Sequence, residues 1–162
     1  MQDQLLAYFA GERQAGMLAA LLGALALTAA VVLFQPRWEL RSLAVTLGLM
    51  GLLELAVGVG LIVRTGPQVA QLLSQLGADA AAFYAGESER MARVQRNFVV
   101  LEYIWTAALA TATILALTQK GRPTLWGVAL GLVLHTSFFL VFDVIAERRG
   151  ATYLEALTRP RA

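Results

Sequence analysis

The sequence predicts an all-α polytopic membrane protein, with four transmembrane helices packed as a bundle. Three observations predict it. Four apolar runs fill most of the 162 residues, and each is about 20 residues long. At about 1.5 Å per residue that matches a hydrocarbon core about 30 Å thick. The runs are apolar almost all round, whereas a helix of a soluble domain carries an apolar stripe on one face. The chain as a whole is 58% hydrophobic and 15% charged, with a mean hydropathy of +0.64.

The first run, 16–34, is rich in Ala and Leu. It is too long for the apolar region of a cleavable signal peptide, and Asp3 and Glu12 precede it where basic residues belong, so it is read as a retained span. The second run, 43–63, carries Gly51, Glu54 and Gly58. The third, 98–117, carries Glu102, Thr106 and Thr113, and the fourth, 125–145, carries Gly127, Gly131, His135 and Asp143. Helices are expected because the runs are continuous; barrel strands are about 10 residues long and alternate apolar with polar. Little sequence lies outside the runs, so a single domain spanning 1–162 is expected, without a second soluble domain.

Composition narrows the chemistry. The chain has no cysteine, which removes disulfides, thiolate metal ligation and thiol redox chemistry. Of its Lys and Arg residues, nine fall on the side holding both termini and the middle segment. They are Arg13, Arg64, Arg90, Arg93, Arg96, Arg148, Arg149, Arg159 and Arg161. Four, Arg37, Arg41, Lys120 and Arg122, fall on the other. That bias predicts a bacterial inner-membrane protein with both termini cytoplasmic. The net charge of +2 restates the bias, and no basic face interleaved with stacking aromatics points to nucleic acid.

The chain reads as two parallel hairpins, about 8–76 and 83–157. Tyr8, Phe9, Ala10, Gly11 and Glu12 lead into the first run; Phe83, Tyr84, Ala85, Gly86 and Glu87 precede the third. Each half then turns near a Pro and a Trp (Pro36 and Trp38; Pro123 and Trp126) and returns to Arg64, Thr65 and Gly66, or to Arg148, Arg149 and Gly150. After each Gly, apolar residues recur at helical spacing: Val69, Leu72, Leu73 and Leu76, then Tyr153, Leu154 and Leu157. These segments are expected to be short interfacial helices lying along the inner surface. Residues 79–89 read as a turn-rich connection. Arg90, Arg93 and Arg96 recur every three residues on one helical face. They are expected to sit beside anionic headgroups or to dock an acidic partner.

Ionisable residues inside spans face a bundle or a cavity, because exposure to lipid is costly. Glu54 lies ten residues before Arg64, about 15 Å from that edge. His135 sits at a similar depth, so the two are expected to meet. Glu102 and Asp143 belong to a shallower layer on the inner side. Gly51, Glu54 and Gly58 share a face, as do Gly127, Gly131 and His135; the glycines are expected to pack helices closely. Glu102, Thr106 and Thr113 form a polar stripe expected to face inward. This set reads either as a register-fixing pair or as a proton or cation relay. No metal and no cofactor is expected: the Glu-x-x-His spacing of di-iron bundles is absent, and a b-type haem takes two His where this chain has one. Ser137 lies off the face of His135, and there is no Gly-x-Ser-x-Gly elbow or phosphate-binding glycine pattern.

The functional expectation is a non-catalytic membrane partner, an accessory subunit or immunity-type protein that binds another membrane or secreted protein. The alternative is a homo-oligomeric proton or cation channel or transporter using Glu54, Glu102 and His135, with Gly51 and Gly58 at a subunit contact. A lipid- or quinone-facing redox subunit is the third class. The expected partners are the lipid bilayer and a protein or a second copy of the chain, with no nucleic acid.

Overall fold

The computed structural model describes residues 1–34 and 40–159. They form four helices: α1 (Gln2–Phe34), α2 (Arg41–Ala78), α3 (Ala80–Thr118) and α4 (Pro123–Thr158). The expected turn residues Pro36 and Trp38, with Arg37 and Arg161, lie outside the described residues. All four helices are long and apolar enough to cross a membrane.

Each helix is longer than a bilayer core requires. The shortest has 33 residues, about 50 Å against a core of about 30 Å. The surplus lies at one end and forms a second storey. Leu5 and Phe9 of α1, Leu72 of α2, Phe83 and Met91 of α3, and Tyr153 and Leu157 of α4 make a buried core there. The large apolar side chains exposed on the surface, Leu6 apart, fall between residues 17 and 63 or between 99 and 145. One half of the bundle is thus apolar outside, and the other buries its apolar residues as a water-facing domain does.

This second storey corrects two expectations. Residues 67–78 and 151–158 are not separate interfacial helices; they continue α2 and α4 past Gly66 and Gly150. Their stripe finds partners in Leu5, Phe9, Phe83 and Met91, so it packs on protein rather than on lipid. Pro67 withholds one backbone N–H, yet α2 runs on through it. Residues 79–89 are not turn-rich either. Asp79, extended at φ −148° and ψ 92°, is the single residue between α2 and α3. Its carboxylate accepts from the Ala82 amide at 3.0 Å, an N-cap that starts α3 in an alanine-rich stretch.

α1 packs on α2 and α3 on α4, and the two hairpins join along a seam between α2 and α4. Glycine sets both close approaches. A Cβ on Gly23 would stand 2.5 Å from the Leu55 amide nitrogen, and one on Gly58 would stand 2.5 Å from the Gly16 carbonyl and meet the Ala20 amide. Gly51 faces Ala26 and Gly23 in the same way. Along the seam, Gly127 lies against Ser42 and Leu43, and Gly131 against Thr46, where a Cβ would come within 2.7 Å. All four glycines expected to pack helices do so. Gly51 and Gly58 are occupied by α1 of their own chain, which corrects their assignment to a subunit contact.

Candidate functional site

Close packing along the α2–α4 seam brings Glu54 and His135 together. Glu54 Oε1 lies 2.6 Å from His135 Nδ1, and the residues are 2% and 5% exposed. A contact this short is a hydrogen bond, with one proton lying between the two atoms. His135 Nε2 is buried with no hydrogen-bond partner among the described residues.

Asp143 lies two turns further along α4, about 12 Å from His135. It is 8% exposed, and its Oδ2 accepts from Trp105 Nε1 at 2.7 Å. Trp105 stacks on Phe139, with ring centroids 4.8 Å apart. The Trp105 donor was not foreseen, although it sits three residues past Glu102 and a buried indole N–H seeks an acceptor. Thr136, between the two layers, donates back to the Leu132 carbonyl at 2.6 Å.

The expected inward stripe on α3 turns the other way. Thr106 and Thr113 are exposed, Glu102 is half-buried, and Tyr103 is 75% exposed. The reason is packing: α3 rests mainly on α4, and little of its apolar stretch is buried. A 3.6-residue period groups these residues on a face without saying which way that face points. Thr113 satisfies its hydroxyl on the Leu109 carbonyl.

The basic stripe divides. Arg90 is tied within its own chain: Nε and Nη2 each donate to Glu87 at 2.7 Å, and the guanidinium lies 5.9 Å from the Phe9 ring centre. Burial works against the Arg90 charge, and the Glu87 hydrogen bonds and charge outweigh it, so its pKa rises. Arg93 pairs with Glu89 on the surface, and Arg96 is exposed without an ion pair among the described residues. Beside Arg90, Tyr8 stacks on Tyr153 at 4.8 Å. Burial first, and the Glu12 charge second, push the Tyr8 phenol up to about 12. Burial and then Glu87 push Tyr153 up as well.

Gly16, Gly23, Glu87 and Trp105 were missed as structural contributors by the sequence reading. Gly16 and Gly23 carry the signal that finds them, since they are seven apart like Gly51 and Gly58. Among the described residues, no three metal-ligating side chains converge; Glu54 and His135 offer a pair at most. The arrangement defines a class, a helical bundle with one apolar and one polar storey. Comparison with protein families, curated proteins and solved structures found no match for the chain.

Proposed function

We propose that the chain is an integral protein of the bacterial inner membrane, with both termini cytoplasmic, and acts as a non-catalytic partner of another membrane protein. It serves as an accessory subunit or immunity-type protein, and α3 is the helix it presents. One observation carries this reading: the α3 face holding Tyr103 and Thr106, with the half-buried Glu102 at its edge, points out of the bundle at a depth read as membrane. A carboxyl even partly open to lipid is costly, and a partner helix with a hydrogen-bond donor removes that cost. The belt of exposed apolar side chains supports the membrane placement.

The two hairpins are read as a parallel repeat about an axis along the α2–α4 seam. Two contact spacings support this. Glu54–His135 and Ser42–Pro123 both join residues 81 apart, and Glu12–Arg64 and Gln95–Glu147 both join residues 52 apart.

A photo-crosslinking residue in place of Tyr103, activated in the host membrane, tests the partner reading. It should capture one protein of defined mass; capture of lipid alone contradicts the reading. The second reading, a proton or cation pathway, is favoured by the unpartnered Nε2 of His135. Proton flux into liposomes that is abolished by Glu54→Gln and His135→Ala supports it, and flux insensitive to both rejects it.

A further inference from the structure

Arg149 stands on α4 one turn past Ile145, about 6 Å beyond the apolar band. It is half-buried and has no ion pair or hydrogen bond among the described residues. Its guanidinium lies across Gly11 of α1, where a Cβ would meet Nη1 and come within 3.1 Å of Cδ. Glu12, the neighbouring carboxylate on α1, is held by Arg64 at 2.7 Å. Arg149 is thus a half-buried cation without an ion pair among the described residues, at the level where phosphates sit under the membrane placement proposed above.

Two cavities meet at this side chain. On the apolar side, a groove of about 190 Å³ runs between α1 and α4, walled by Ala15, Leu18, Phe142 and Ile145. On the side of the polar storey, a pocket of about 240 Å³ is lined by Gln4, Ala7, Tyr8, Thr152 and Tyr153. An apolar slot, a lone guanidinium and a mixed pocket that carries the Gln4 amide follow one another along the helix axis. That is the order of an acyl chain, a phosphate and a polar headgroup.

We propose that the α1–α4 groove binds one anionic phospholipid of the cytoplasmic leaflet, with its phosphate on Arg149 and an acyl chain along Leu18, Phe142 and Ile145. A guanidinium suits this role because it bonds two phosphate oxygens at once. Gly11 leaves the space in which the guanidinium reaches across α1. The exposed Arg13 and Arg148 add positive charge at the same level. The site rests on the membrane placement and is independent of the α3 partner.

Native mass spectrometry of the detergent-purified full chain, titrated with phosphatidylglycerol and phosphatidylcholine of matched acyl length, tests the site. The wild type should retain one phosphatidylglycerol with a preference of about fivefold or more, the effect of one cation at the surface. Arg149→Gln should abolish the preference and Arg149→Lys should restore part of it. Ala15→Phe, which fills the slot and keeps the charge, should weaken both lipids. Lys120→Gln, at the opposite end of the bundle, should change nothing. Equal retention of the two lipids by the wild type, or a preference that survives Arg149→Gln, overturns the site. Competition by glycerol phosphate as strong as by the lipid also overturns it, since the acyl chain then contributes nothing. Carbonate-washed membranes from the same cells separate the two failures. A chain recovered in the soluble fraction overturns the membrane placement, and a membrane-bound chain without lipid preference overturns the groove alone.

Discussion

Glu54 and His135 satisfy one another away from solvent, so neither side chain is easily replaced alone. His135→Leu leaves the carboxyl buried without its partner and should destabilise the bundle by about 3 kcal/mol, measured by unfolding in mixed detergent. Adding Glu54→Leu should recover much of that loss, because an apolar pair leaves nothing unsatisfied. A double variant no more stable than the single one contradicts this. In the polar storey, the Tyr8 phenol is pushed up to about 12 from 10.0, so the folded state keeps its proton where the unfolded state loses it. The stability this gives is complete below pH 10 and falls as pH rises towards 12. Absorbance titration of the wild type against Tyr8→Phe should show one phenol ionising near 12; a midpoint near 10 contradicts its burial. Of the polar residues, the Glu54–His135 contact was legible because both depths count from a charged edge. The Trp105–Asp143 bond and the outward turn of Thr106 were not, because both depend on the rotation of α3 about its own axis.

Helices are where the sequence was most and least informative. The four apolar runs are all helix, the form in which a continuous apolar segment satisfies its own backbone. Their ends were illegible for a physical reason: the stripe after Gly66 fits a lipid surface or a protein core equally well, and only Leu5, Phe9 and Met91 decide between them. The glycines now carry opposite predictions. Gly23→Leu forces α1 off α2 and should cost about 1–3 kcal/mol. Gly86, in the interior of α3, has nothing within 4 Å of a Cβ, so Gly86→Ala should stabilise by about 0.5–1 kcal/mol. Thermal unfolding of both variants checks the pair. Similar effects at the two sites contradict the close α1–α2 approach.

At the scale of the whole molecule, a tight α1–α2 hairpin and a polar storey hold together a bundle whose third helix is only partly used. That asymmetry is the basis for reading α3 as the presented helix. Glu102→Leu with Thr106→Leu should leave folding intact, because neither residue has a hydrogen bond among the described residues, while removing what a partner grips. Native mass spectrometry of the complex, extracted gently from its own host membrane, tests the claim most directly. The wild type should give a heteromeric mass and the double variant the free chain. A wild-type chain that flies alone or only with copies of itself contradicts it.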